Sequence, residues 1–103
     1  MNTYQTAVKQ TTDNVTTAAT NKSTAQKTLT NQANNIIKKY GKKLSSTIVN
    51  KLKKGQKLTN ADMSTVKDKT ILSSLNSYNS AFDKAKDSVT NYNVAVAAQT
   101  EAI

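Results

Sequence analysis

A heptad frame runs through the last third of the chain: Ile71, Leu75, Tyr78, Phe82, Ala85, Val89, Tyr92, Val96, Gln99 and Ile103 alternate four and three positions apart. In an α-helix that spacing puts one side chain per turn on a single narrow stripe. Asn, Ser, Thr, Lys and Asp fill most of the positions between. A helix with one apolar edge in water needs another helix to cover it, so the pattern restricts the chain to paired helices. The seam expected to bind a partner is Ile71, Leu75, Tyr78, Phe82, Val89, Tyr92 and Val96.

The first forty residues carry a weaker version of the same frame. Val8, Val15, Lys22, Leu29 and Ile36 are seven apart, and Tyr4, Thr11, Ala18, Ala25 and Gln32 fill the intervening line. Ala33, Ile37 and Tyr40 widen the stripe at its end. This predicts a helix over about residues 3–40, about 57 Å long at roughly 1.5 Å per residue. Its middle is rich in Thr, a modest helix former, so fraying is expected around Thr16 to Thr24. Gly41 suits the left-handed position just past a helix end, with Lys38 and Lys39 in the last turn against the negative end of the dipole. A short basic helix fits residues 42–54, with Leu44, Ile48, Val49 and Leu52 on one face and Gly55 as a second stop signal. Thr59 with Asp62 three residues on forms a capping box, and Leu58 and Met63 stand at hydrophobic-staple positions. These signals start a helix expected to run over about 60–100.

The fold expected is all-α, in one domain spanning 1–103. It is an antiparallel helical hairpin of two long helices, about 3–40 and 60–100, with a short basic helix, about 42–54, at the turn. The apolar edges then face each other in reverse order: Val8, Val15, Leu29 and Ile36 against Val96, Val89, Tyr78 and Ile71. Many seam residues are Ala. At about 25 cal/mol per Å² the area such a hairpin buries barely offsets the ordering of its chain, so it gains by pairing into a four-helix bundle. Lys22 and Gln32 at seam positions are polar breaks in that edge.

Chemistry is restricted by what the chain lacks. Cys, His, Trp, Pro and Arg are absent. With no Cys or His there is no thiolate or imidazole, and most hydrolytic mechanisms lose their base. The six carboxylates, Asp13, Asp62, Asp68, Asp83, Asp87 and Glu101, are scattered and form no calcium-loop spacing. The expectation is a protein that is not an enzyme, with no catalytic, metal or cofactor site. The opening residues have no basic region followed by an apolar run, so neither a cleaved secretory signal nor a membrane span is expected. The localisation expected is secreted without a cleaved signal peptide, or cytoplasmic before export.

Fifteen Lys oppose the six acids, for a net charge of +9. No acidic residue lies between Asn14 and Ala61, while Lys38, Lys39, Lys42, Lys43, Lys51, Lys53, Lys54 and Lys57 crowd the hairpin tip. A solvated face, an acidic protein partner, nucleic acid held through phosphates, and an anionic membrane touched by Leu44, Ile48 and Leu52 are the readings of that tip. Without Arg, nucleic-acid binding would be non-specific and salt-sensitive. Among the aromatics only Tyr40, amid Lys38, Lys39, Lys42 and Lys43, fits a base-stacking platform.

Length near one hundred residues, two long amphipathic helices, a mid-chain turn and a Thr/Asn/Lys-rich composition resemble the WXG100/ESAT-6-like superfamily of helical hairpins exported by type VII secretion. The chain is most similar to the small helical companions of LXG toxins in Gram-positive bacteria. Tyr40-Gly41 stands where the superfamily carries Trp-x-Gly, without the Trp and without the intervening residue. The superfamily's export signal is an aromatic followed four residues later by an acid. Here Phe82 has Lys86 at that offset and Asp87 one place further, and Tyr78 has Phe82 with Asp83 beyond it, so Phe82 and Asp87 are the candidate signal. The resemblance implies a targeting partner that binds another helical protein, such as an LXG-type toxin domain, or self-associates into a four-helix bundle. The alternatives are a phage- or plasmid-type accessory protein binding nucleic acid through its tip, and a bacteriocin-immunity-like or membrane-surface helical protein.

Overall fold

The computed structural model describes the backbone of residues 2–102 and the side chains of residues 9–101. The described residues form no strand. Helix α1 spans Asn2–Tyr40, a 3-10 turn Gly41–Lys43, α2 Ser46–Lys54, α3 Asn60–Ser64 and α4 Lys69–Ala102. The two long helices, α1 and α4, pack against each other in opposite directions: Gln99 Nε2 donates to Thr12 Oγ1 at 2.9 Å, and Lys22 Nζ lies 4.6 Å from the centre of the Tyr92 ring. The result is a hairpin-like rod 62 Å long and 22 Å by 20 Å across. Of the expected seam positions, the Tyr4 and Val8 side chains and Ile103 lie outside what is described.

The fraying expected in α1 does not occur, since residues 16–24 are continuously helical. Thr16 Oγ1 donates to the Thr12 carbonyl and Thr20 Oγ1 to the Thr16 carbonyl, each at 3.1 Å. These hydroxyls find their partners within the helix and need not unwind it. Gly41 is a second correction. It sits in the 3-10 turn, and Gly55 is the described glycine with positive φ, at 67°. The left-handed cap therefore ends α2, with Gly55 N–H donating to the Leu52 carbonyl and Gln56 N–H to that of Lys51. The start of α2 is set by Ser45, whose side chain accepts from Ile48 N–H at 3.3 Å.

The helix expected over 60–100 is broken. Thr59 and Asp62 form the capping box, but α3 lasts only to Ser64, and α4 starts afresh at Lys69. The new start has a local cause. Asp68 Oδ1 accepts from Thr70 N–H at 2.8 Å and from Ile71 N–H at 3.2 Å, the role of an N-cap. The break frees α3 from the axis of α4. Leu58, Met63 and Val66 then fold onto the core instead of trailing along one helix.

That core is confined to the tip half of the rod. It consists of Leu29, Ala33, Ile36, Ile48, Leu52, Leu58, Ile71, Leu75, Tyr78, Ala81 and Ala85. Among the described residues, none before Leu29 in α1 and none after Ser88 in α4 is buried. Toward the other end Thr11, Val15, Ala18, Lys22 and Ala25 meet α4 half-buried, on the stripe the heptad predicts. On α4 the stripe rotates: Ala81 and Ser88 are buried where Phe82 and Val89 were expected. The small side chains of Ala81, Ala85 and Ser88 suit the closest approach, and the bulkier Phe82 and Val89 move to the flank. The facing order also differs from the expected one. Thr12 meets Gln99 and Lys22 reaches Tyr92, so α4 is displaced by more than a turn from the alignment that set Val15 against Val89.

Candidate partner-binding surface

Three of the seven expected seam residues are spent inside the chain. Ile71, Leu75 and Tyr78 are buried, the latter two at 0% exposure, beneath α2 and the elbow. The elbow is clamped from α4. Tyr78 Oη donates to the Gln56 carbonyl at 2.7 Å, and Asn79 bonds both the N–H and the C=O of Leu58. Burial pushes the Tyr78 phenol above its ordinary value of 10.0. These residues therefore hold the fold. Asn79 carries no periodic signal, so its role was not legible in advance.

The remaining four emerge from that cover. Leu75, Phe82, Val89 and Val96 are seven apart and share one face of α4. Along this line exposure opens from 0% at Leu75, through half-buried Phe82 at the edge of the core, to 37% at Val89. Val96 and Tyr92 are half-buried. Opposite Tyr92, which lines it from α4, α1 contributes Ala19, Lys22, Gln26, Lys27 and Thr30 to an open groove of about 530 Å³. Lys22 lies over the Tyr92 ring, so one polar break in the seam is a cation–π contact across the two helices. The other break, Gln32, is half-buried, with its amide oxygen buried and lacking a hydrogen-bond partner.

The basic tip is only partly free. Lys51 Nζ meets Asp62 Oδ2 at 2.6 Å and Lys57 Nζ meets Asp83 Oδ1 at 2.9 Å. The Lys51 ammonium, followed by the Thr59 N–H, holds the Asp62 carboxyl below its ordinary value of 3.8. Lys39 Nζ lies 5.3 Å from the ring centre of Tyr40, which is half-buried against the core and presents no open stacking face. Lys38, Lys42, Lys43, Lys53 and Lys54 are exposed, and no ion pair involves them among the described residues. The membrane reading of this tip loses its apolar face: Ile48 and Leu52 are 1% and 2% exposed, turned into the core, and Leu44 packs against it.

Phe82 and Asp87 are not brought together. Five helical positions set them about 140° apart at 3.6 residues per turn. Phe82 touches the core, whereas Asp87 is exposed in a groove on another face beside Asn14, Asn21 and Lys84. Among the described residues no group of three carboxylates is close enough to hold a metal ion, and no helix is long and apolar enough to cross a membrane. No protein-family model, no curated protein and no solved structure matches this chain.

Proposed function

We propose that this chain is a non-enzymatic helical partner protein, an antiparallel hairpin with a basic helical turn that binds another helical protein along its open arm. The observation that carries the reading is the line Leu75–Phe82–Val89–Val96, fully covered at Leu75, half-buried at Phe82 and Val96, and open at Val89. An arm whose seam mixes Val15, Tyr92 and Val96 with Thr, Ala, Lys and Gln, and holds no buried residue among those described, buries too little apolar area to be strongly held by itself, and a partner helix supplies what it lacks. The resemblance to small helical companions of LXG toxins gives the reading its context: the partner is a helical toxin domain, and the pair leaves the cell by type VII export. The exposed lysines of the tip orient the pair by charge.

Affinity capture of the tagged chain from its native cells tests this, with Val89→Asp and Val96→Asp as controls. The wild-type chain is expected to retain one helical protein in stoichiometric amount, and each variant to lose it while keeping its helical circular dichroism. Retention unaffected by either aspartate, or a chain found only as its own dimer, rules the reading out.

The five unpaired tip lysines favour nucleic acid as the second reading. Such binding would weaken steeply with salt, the slope reporting the phosphates neutralised. Absence of retention on DNA and RNA at about 50 mM salt removes it.

A further inference from the structure

We infer that the groove beside Tyr92 receives an acidic amphipathic helix, laid along the same furrow that α2 fills at the tip; this deepens the partner-binding reading and rests on it. The two stretches share lines of α1. On α1, Tyr40, Ala33, Gln26 and Ala19 are successive sevens, as are Ile37, Thr30 and Ser23. The tip members of these lines, Tyr40, Ala33 and Ile37, pack in the core with Ile48 and Leu52 of α2. The outer members, Gln26, Ala19, Thr30 and Ser23, line the open groove. On α4 the groove is lined by Tyr92, and along the same helix Leu75 is buried at the tip while Val89 is 37% exposed. The covered part shows what fits the open part: a helix presenting apolar side chains four apart, as Ile48 and Leu52 are.

Charge selects the occupant. The α1 wall carries Lys22 and Lys27, and no acid occurs from Asn14 to Ala61. On α4, Lys86 lies seven residues beyond Asn79, on the flank that faces the elbow, and is exposed. The acid nearest that flank, Asp83, is paired with Lys57. The α1 wall is thus basic, and among the described residues no acid lines the groove. A second copy of this chain, at net +9 and with a Lys-rich α2, meets like charge there, whereas Glu or Asp flanking an apolar stripe meets complementary charge.

The test uses the full chain and a synthetic helical peptide with Leu at heptad core positions and Glu beside them, compared with a twin carrying Lys for every Glu. The acidic peptide is expected to bind at least about tenfold tighter, a difference near 1.4 kcal/mol. Its affinity should fall with salt, and amide NMR shifts should centre on Lys22, Val89, Tyr92 and Val96. Lys22→Glu combined with Lys27→Glu should reverse the preference between the peptides. Equal binding of the twin, or shifts confined to Lys38–Lys54, overturns the inference. The two readings fail separately. Native capture that needs Val89 but ignores the Lys22/Lys27 pair keeps the partner and ends the acidic helix; capture that ignores Val89 ends both.

Discussion

Asn79 completes both backbone hydrogen bonds of Leu58: its Oδ1 accepts from the Leu58 N–H at 3.0 Å, and its Nδ2 donates to the Leu58 C=O at 3.1 Å. Leu58 lies between α2 and α3, outside any helix, and is 3% exposed. Its peptide groups have no helical partner, and one side-chain amide takes the place of a neighbouring strand. Asn79→Ala is expected to lower unfolding free energy by about 2–3 kcal/mol, since a buried donor and acceptor are both left bare. Asn79→Asp keeps the acceptor, loses the donor and sets a carboxylate against a carbonyl, so it should not rescue. Urea titration followed by circular dichroism measures both; an Ala variant as stable as the parent would show that water replaces the clamp.

Tyr78 holds the residue beside that clamp. Its hydroxyl donates to the Gln56 carbonyl, and burial raises its pKa above 10.0. A group whose pKa is higher in the folded chain stabilises it fully below the unfolded value and loses that contribution as pH rises through the folded one. Stability should therefore decline above about pH 10, the ordinary phenol value. Tyr78→Phe is expected to cost about 1 kcal/mol at neutral pH and to remove this part of the alkaline decline. Thermal melts of both proteins across that range decide it.

Asp62 sets the opposite limit. Its carboxylate receives the Lys51 ammonium and the Thr59 N–H, at 2.6 Å and 2.9 Å, and its pKa is lowered from 3.8. A depressed pKa contributes stability above the unfolded value that is lost as pH falls through the folded one. Acidification below about pH 4 should loosen the joint between α2 and α3. Asp62→Asn should flatten that part of the acid profile, which melts at stepped pH will show.

Gln32 offers a gain in stability. Its amide oxygen is buried without a hydrogen-bond partner on a stripe whose next turn is Ile36. Gln32→Leu removes that unsatisfied acceptor and extends the apolar contact with α4, for an expected gain of about 1 kcal/mol. A lower urea midpoint in the variant would mean that the amide is satisfied in solution.

Much of the architecture was legible before any coordinates. The heptads in α1, the capping box at Thr59 and Asp62, and the stop at Gly55 depend on residues within a turn of one another, and each stands where it was read. Asp68 was legible in principle, as an Asp before a helical run, but the capping box at Thr59 and Asp62 had already been read as the start of one helix over 60–100. The candidate surface was read less well. Seven seam residues looked equivalent, yet Ile71, Leu75 and Tyr78 belong to the interior and Phe82, Val89, Tyr92 and Val96 to the arm.

Local sequence determined where this chain is helical and which stripe of each long helix is apolar, because period and capping act over a few residues. The path of the elbow was decided only in three dimensions, by contacts between residues more than twenty positions apart: Leu58 with Asn79, Gln56 with Tyr78, Lys57 with Asp83. That path covers half of one stripe and leaves the other half open. No local pattern encodes it, because burial depends on what arrives from elsewhere in the chain.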